Sequence, residues 1–435
     1  MKRFLALSAA VLSTAGLTLT AAPLAAQDIA ITGATVATGD GSAPIENATV
    51  VVRSGRIVAA GADVAVPEGV PALDGTGTWV TPGIFASITN LGLVDVSAVS
   101  SSNDVRASDS PYDAALDVAP AINPAAQDFS YSRAGGVTRA TVTPVASSGI
   151  FAGQGAVVDL GADFDAVTQR RAFQHVEMGE RGASLAGGSR TSVHAMVRNA
   201  LSEAQYYAQQ GEWDEHGMLS RLDAQALSRV VTGEQQLYVT VHRAADILSV
   251  LALREEFPNL DMVLVGVTEG WMVADRIAAS GIPVITAALS DLPESFERLA
   301  ATQSNVGRMV DAGVSVAIGG YESSGDHPRS LPQMAGNLVA LNQVTGATGL
   351  SWGEAFAAIT SVPASIGGLE GRAGVLASGA HGDLVVWDGD PLEVSSAPLR
   401  VFIDGVEQPL DNHQTRLRER YRTLDESELP PAYRR

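Results

Sequence analysis

The chain has 435 residues, enough for one large core and a smaller domain, and it contains no cysteine. The lack of cysteine excludes disulfides, thiolate metal ligands and a cysteine nucleophile. Hydrophobic residues make up 46% and charged residues 17% of the chain, as in a folded globular protein. A formal net charge of -20 without a basic patch argues against nucleic-acid binding, because nucleic acids are polyanions.

The N-terminus has the pattern of a secretory signal peptide. Lys2 and Arg3 precede an apolar run from Phe4 to Leu19, and small residues follow up to Gln27. A transmembrane anchor is the alternative, but the run is short and rich in Ala, Ser and Thr. We therefore expect residues 1–27 to be removed and the mature protein to be periplasmic or secreted, without a membrane anchor.

Two β-rich regions stand at opposite ends of the mature chain. Residues 28–81 and 372–410 both contain short strand patterns broken by Gly, Asn and Pro. Each region alone leaves an apolar face uncovered, so we expect them to pack together as one small β-sandwich. The charged residues 411–435 form a tail, in which we expect a surface helix and a frayed end.

The middle of the chain, residues 82–371, alternates strand and helix patterns, including helical periodicity from Phe296 to Ala312. This alternation predicts a parallel sheet with helical crossovers, and the length suits a (β/α)8 barrel. A doubly wound open sheet is the runner-up, but no phosphate-binding glycine loop supports it. The pair of glycines in residues 153–155 predicts a turn. Residues 97–128, rich in Ser, Asp, Asn and Pro, predict a long loop over the strand ends.

Four stretches together resemble the imidazolonepropionase-like branch of the amidohydrolase superfamily. The first is VTPGIFASITNLG, residues 80–92, which resembles the family's first barrel strand. The others are TVHRAADI at 240–247, VTEG at 267–270, and GDLVVWDGDP at 382–391, the last matching the returning strand of the family's small domain. The resemblance covers nearly the whole mature chain. It implies a barrel with a metal at its C-terminal mouth and hydrolysis of a C–N bond.

The family's metal ligands are replaced in this sequence. The first strand of the family ends in His-x-His, and those two places hold Ile88 and Asn90. On the fifth strand the ligand histidine corresponds to Thr240, and on the sixth strand it falls at Gly266. An isoleucine or a glycine side chain offers no lone pair to zinc, and an amide oxygen is a poor substitute for imidazole. Lys2 is the only lysine, so a carboxylated lysine cannot bridge two metals in the mature chain.

A rebuilt site would need other side chains at the mouth. Tyr238, Thr240 and His242 should share the inner face of their strand because side chains repeat with period two. For a rebuilt metal site the candidate ligands are His175 and His327, and the candidate catalytic residues are Asp326 and Glu269. Glu269 could equally cap its helix. The last-strand aspartate stays open among Tyr321, Glu322 and Asp326. We place the following residues in the substrate pocket: Asn90, Thr240, His242, Thr268 and Tyr321.

These replacements lead to two functional hypotheses. The first is an exported amidohydrolase-fold protein without the family's metal, which binds a small molecule or acts as a noncatalytic partner of an active paralogue or in a homo-oligomer. We then expect no cofactor. The second is an active hydrolase on cyclic amides or dipeptides with a rearranged site, using one zinc or iron ion or no metal. The third possibility is a protein that binds a small molecule at the barrel mouth, where the family has its metal.

Overall fold

The computed structural model describes residues 26–319 and 328–422. Two sheets of eight strands each organise this part of the chain. One sheet combines strands from both chain ends, and the other forms a barrel between them, so the predicted fold class is confirmed. Most of the expected signal peptide and residues 423–435 of the tail lie outside the described residues.

The strands follow one another in chain order as β1 (Ile29–Val36), β2 (Ile45–Arg53), β3 (Arg56–Gly61), β4 (Ala72–Asp74), β5 (Trp79–Pro82), β6 (Ile84–Thr89), β7 (Val137–Val142), β8 (Phe151–Asp159), β9 (Val167–Glu177), β10 (Gln236–Val241), β11 (Met262–Gly266), β12 (Val284–Thr286), β13 (Val316–Ile318), β14 (Leu384–Trp387), β15 (Pro398–Ile403) and β16 (Val406–Glu407).

The α-helices are α1 (Gln127–Ala134), α2 (Glu180–Leu185), α3 (Arg190–Gln210), α4 (Arg221–Val231), α5 (Ala244–Leu251), α6 (Leu253–Glu256), α7 (Ala274–Ser280), α8 (Asn305–Asp311), α9 (Leu331–Ala340), α10 (Trp352–Ala357), α11 (Ser361–Ile366) and α12 (His413–Tyr421). Within the two described ranges, none of the helices combines the length and the apolar character that a bilayer crossing requires.

The first sheet joins the two chain ends. Its order is β16-β15-β14-β5-β1-β2-β3, with β4 beside β1. The antiparallel ladder of β5 and β14 makes the connection, and Val80 lies opposite Val386 in it. Val386 faces a small core inside this domain, while the neighbouring Val385 and Trp387 face the core shared with the barrel. The strands of the composite domain thus form one continuous sheet, with an apolar face on each side.

The barrel sheet keeps the chain order from β6 to β13. All neighbouring strands in it are parallel except β8, which runs antiparallel to β7 and to β9. The prediction of a turn at residues 153–155 is wrong, because these residues belong to β8. The glycines serve packing instead: a Cβ at Gly155 would lie 2.1 Å from Cζ of Phe173, whose ring fills the barrel interior.

A short segment bridges the last seam of the barrel. The Ile318 N–H in β13 donates to the Ala358 carbonyl, and the Phe85 N–H in β6 donates to the Ile359 carbonyl. Residues 358–359 therefore lie between the two outer strands. This arrangement nearly closes the barrel between β6 and β13, the two ends of the sheet.

The strand faces divide as the period-two pattern predicts. Leu237, Val239 and Val241 of β10 pack into the core beneath the helices. Tyr238, from the opposite face, packs into the apolar cluster of the barrel interior. The C-terminal ends of the parallel strands form the mouth of the barrel, which is where enzymes with this architecture have their active sites.

The segment before α8 departs from the predicted helix. The helix begins at Asn305 rather than at Phe296. In the irregular stretch before it, an oxygen of Glu297 accepts the Glu180 N–H at 2.7 Å and lies 3.6 Å from the Arg190 guanidinium. Arg298 reaches the mouth of the barrel. These long-range contacts to other parts of the chain replace the local hydrogen bonds of a helix.

Candidate functional site

An apolar layer fills the barrel below its mouth. Phe173 and Tyr238 stack with their ring centroids 4.0 Å apart. Residues from five other strands or helices complete the layer: Ile88, Val263, Val265, Ile285, Ala317 and Ile366. Burial raises the pKa of the Tyr238 hydroxyl, which has no hydrogen-bond partner among the described residues. The lower barrel is therefore packed core, and any ligand has to bind above it.

Ile88 belongs to this apolar layer although it occupies a ligand position of the family. Its backbone φ is +55°, a conformation that is rare for a β-branched residue. The pairing of β6 with β7 is irregular between Ala86 and Thr89, and the Ile88 N–H donates to Thr141 Oγ1 at 2.8 Å. The side chain is 1% exposed. The first ligand position thus holds a buried aliphatic side chain, which cannot coordinate a metal ion.

Asn90 directly follows β6 at the mouth. Its Oδ1 atom is buried and has no hydrogen-bond partner among the described residues. A buried amide oxygen without a partner costs free energy, which a ligand with a hydrogen-bond donor would recover. The Asn90 amide oxygen, at the second ligand position of the family, can therefore accept a hydrogen bond from a ligand.

His175 lies inside the barrel on β9 and is fully buried. Its Nδ1 lies 3.2 Å from Thr143 Oγ1, and its Nε2 lies 2.7 Å from Thr240 Oγ1. Both ring nitrogens are thus within hydrogen-bond distance of threonine hydroxyls. A metal at His175 would require one of these hydroxyls to leave, because a ligand nitrogen must present its lone pair to the ion.

Glu177 is a mouth residue that the sequence analysis missed. It lies opposite Thr240 in the ladder of β9 and β10 and is 4% exposed. The available signal was the period-two repeat of Phe173, His175 and Glu177, since the first of these points into the barrel. The repeat places a carboxylate on the same interior face as the His175 imidazole.

His242 is held from both sides of its ring. Its Nδ1 lies 2.9 Å from Thr268 Oγ1, and Nη2 of Arg298 lies 3.0 Å from its Nε2. A guanidinium only donates hydrogen bonds, so Nε2 accepts, and the ring is neutral with its proton on Nδ1. The structure thus brings together His242 and Thr268, two of the predicted pocket residues. It adds Arg298, which sequence reasoning missed because the predicted helix concealed it.

Gly266 explains why the sixth-strand histidine of the family has no counterpart. Its φ is +90°, and a Cβ built on it would lie 2.3 Å from Cε1 of His242. The imidazole of His242 occupies the space that a side chain at position 266 would need. A ligand at that position is therefore sterically incompatible with this arrangement of β10 and β11.

Glu269 connects two segments of the chain through hydrogen bonds of its carboxylate. One carboxylate oxygen accepts the Ala244 N–H at the start of α5, and the other accepts the Ala300 N–H, each at 3.0 Å. The side chain is buried, and both oxygens are engaged. Of the two roles that the sequence left open, these contacts favour the structural one. The carboxylate stabilises the start of α5 rather than of its own helix.

The remaining predicted site residues, Tyr321, Asp326 and His327, lie outside the described residues, as does Glu322. Within the described ranges, no group of three or more His, Asp or Glu side chains is arranged to hold a metal ion. Four of the family's ligand positions provide an aliphatic chain, an amide, a hydroxyl and a glycine, and the candidates for the last-strand aspartate lie outside the described residues. This donor set does not fit the divalent metal that the family binds.

Comparison with solved structures defines the fold. The chain is similar to an amidohydrolase from Thermotoga maritima MSB8, with 24% identity and a TM-score of 0.76 over 87% of this chain and 99% of that one. It is also similar to the atrazine chlorohydrolase of Arthrobacter aurescens TC1 complexed with zinc, with 16% identity and a TM-score of 0.54 over 89% of this chain and 98% of that one. The architecture is therefore an amidohydrolase-type barrel.

Sequence comparison finds the amidohydrolase pattern in part of the chain. Residues 262–406 match the Amidohydrolase family profile. A stretch of 60 residues is 45% identical to the amidohydrolase TasK of Hapsidospora irregularis, covering 14% of this chain and 6% of that protein. The chain thus spans a small part of that relative. The predicted resemblance to the amidohydrolase superfamily is thus confirmed for residues 262–406, and the match is compatible with the imidazolonepropionase-like branch.

Proposed function

We propose that this protein is an exported, noncatalytic member of its superfamily that binds a small polar ligand at the barrel mouth, alone or as the partner of an active paralogue. The observation that carries the proposal is the set of contacts that the ring nitrogens of the two interior histidines make. Both nitrogens of His175 contact threonine hydroxyls, and the nitrogens of His242 contact Thr268 and Arg298. The imidazoles thus serve a hydrogen-bond network in place of a metal.

The charges of the mouth support a polar ligand. Glu177 supplies a buried carboxylate, Arg298 a guanidinium, and Asn90 an amide oxygen with no partner among the described residues. A small molecule with both donors and acceptors, such as a cyclic amide or a dipeptide, matches such a lining. Specific pockets combine an apolar floor with a few convergent polar groups in this way.

Metal analysis tests the noncatalytic proposal. The purified full chain, incubated with zinc or iron and then dialysed, should retain only substoichiometric metal. Stoichiometric metal that survives dialysis would overturn the proposal, because it would require three or more protein ligands.

Ligand binding is tested separately. A panel of cyclic imides, lactams and dipeptides should contain a compound that raises the thermal unfolding temperature without being consumed. Glu177→Gln and Arg298→Gln should weaken this effect, whereas the exposed Arg53→Gln should not. Equal responses of all three variants would show that the ligand binds elsewhere.

One observation favours a second candidate, an active hydrolase without the family metal. Glu177 and His175 place a carboxylate and an imidazole on one interior face, the pair of groups that general acid–base catalysis uses. This candidate requires turnover of a cyclic amide or a dipeptide that His175→Ala or Asp326→Asn abolishes while the fold is retained. Turnover that persists in both variants would point to a contaminating enzyme.

A further inference from the structure

A second cavity lies on the outer helical layer, with a volume of about 480 Å³. It is formed by the C-terminal turns of α3, the segment that follows this helix, and the start of α4. Six of its eight lining residues are aromatic or acidic: Glu203, Tyr206, Tyr207, Glu212, Trp213 and Asp214. None of these residues contributes to the barrel mouth. The volume lies within the range of about 300–1,000 Å³ that small-molecule sites occupy.

The chemistry of this lining selects a cation. The lining supplies three aromatic rings and three carboxylates, and no arginine of the described residues lines the cavity. Aromatic faces attract ammonium and guanidinium groups through the ring quadrupole. The net charge of -20 also favours the approach of a cation through the field of the whole chain.

The walls of the cavity are held in place by the chain itself. The indole N–H of Trp213 donates to the Leu219 carbonyl at 3.0 Å. The two carboxylate oxygens of Glu203 accept the backbone N–H groups of Met218 and Leu219, each at 2.9 Å. These bonds attach the segment after α3 to the helix. A ligand therefore meets rings already in position, which lowers the entropy cost of binding.

We propose that this cavity binds a small organic cation with an alkylammonium or guanidinium head, seated against Trp213 and the two tyrosines and neutralised by Glu212 and Asp214. The inference concerns a site apart from the barrel mouth and does not depend on the function proposed there. Either a free small molecule or the basic side chain of a peptide could carry such a head group.

Calorimetry on the full-length mature chain tests the proposal with three cations and one neutral probe. Choline and agmatine represent free cations, the tripeptide Gly-Arg-Gly represents a peptide, and 3,3-dimethyl-1-butanol is the uncharged isostere of choline. At least one cation should bind and the isostere should not. Binding of choline or agmatine identifies a free cation, and binding of the tripeptide alone identifies a peptide side chain. Equal binding of choline and the isostere, or no binding of any cation, overturns the proposal.

Variants locate the binding. Trp213→Ala should weaken the cation roughly 3- to 30-fold, the range expected for loss of a cation–π contact. Trp213→Phe keeps an aromatic face and should retain most of the affinity, which separates the ring contact from a folding defect. Glu212→Gln should weaken binding and reduce its salt dependence. Phe164, 83% exposed, provides the matched control, and Phe164→Ala should leave the affinity unchanged. Unchanged affinity in Trp213→Ala overturns the assignment.

Discussion

The His242 imidazole lies where a side chain at position 266 would stand, and a Cβ built on Gly266 would lie 2.3 Å from its Cε1. Two neighbouring strands thus share one volume, which only one of them can fill. In this chain the residue directly after β10 fills it with an imidazole that contacts Thr268 and Arg298. The choice removes the sixth-strand ligand position and creates the hydrogen-bond network of the mouth.

The first prediction concerns Gly266→Ala. The added methyl meets the His242 ring, and the alanine must adopt φ +90°. The free energy of unfolding should therefore fall by about 1–2 kcal/mol for the left-handed backbone and by about 1–3 kcal/mol more for overpacking. Gly187 has nearly the same φ, +92°, but nothing within 4 Å of its Cβ position. Gly187→Ala therefore isolates the backbone cost. Chemical denaturation measures both, and equal losses would contradict the close approach of the His242 ring.

The second prediction concerns the proton on His242. Because Arg298 donates to Nε2, nitrogen-15 NMR should show a neutral ring protonated at Nδ1 at neutral pH. Arg298→Gln removes the guanidinium and should change the Nε2 chemical shift. A ring protonated at Nε2 in the unmodified protein would contradict the hydrogen-bond assignment.

The third prediction concerns the buried ion pair that ties the barrel to the composite domain. Nε of Arg139 in β7 lies 2.6 Å from Asp383, and both side chains are at most 3% exposed. Asp383→Asn leaves the buried guanidinium with the half-exposed Asp404 carboxylate, 2.9 Å away, and should lower the free energy of unfolding by up to about 3–5 kcal/mol.

The control for this pair is a surface contact of the same domain. Arg53 and Asp28 are 52% and 40% exposed and lie 3.4 Å apart. Arg53→Met should change stability by less than about 1 kcal/mol because solvent screens the pair. Similar losses at both sites in urea titrations would contradict the assigned role of burial.

The fourth prediction concerns pH. Burial raises the pKa of Asp159 to about 6, against the opposing effects of the Gly161 N–H and of Arg139, while Asp383 and Asp163 raise it further. Its unfolded value is near 3.8, so between these values the native state binds the additional proton. The contribution of Asp159 to stability therefore falls as the pH rises from about 4 to 6.

Asp159→Asn removes this titration and keeps an acceptor for the Gly161 N–H. The variant should gain up to about 2–3 kcal/mol relative to the unmodified protein as the pH rises from 4 to 7. Urea titrations across this range measure the effect, and the exposed Asp165→Asn serves as the control. A constant difference between the Asp159 variant and the unmodified protein would contradict the raised pKa.

Strand and helix periodicity were sufficient to predict the barrel, the composite domain from both chain ends and the inner face of β10, because burial imposes those repeats on the sequence itself. The family resemblance placed Ile88 and Gly266 at ligand positions, and side-chain chemistry alone shows that neither can bind a metal. Local pattern also misled: the glycines of residues 153–155 were read as a turn, although they make room for the Phe173 ring.

Only the tertiary structure decided how the mouth is built. The partners of His175 and His242 come from strands and segments up to 65 residues away in the chain. Arg298 reaches His242 because its segment takes up long-range contacts instead of helical ones, and Glu269 turns its carboxylate to two distant N–H groups. Residue type determines what a side chain can do, but which atoms lie within 3 Å of it depends on strand order and packing. No periodicity in the sequence records that arrangement.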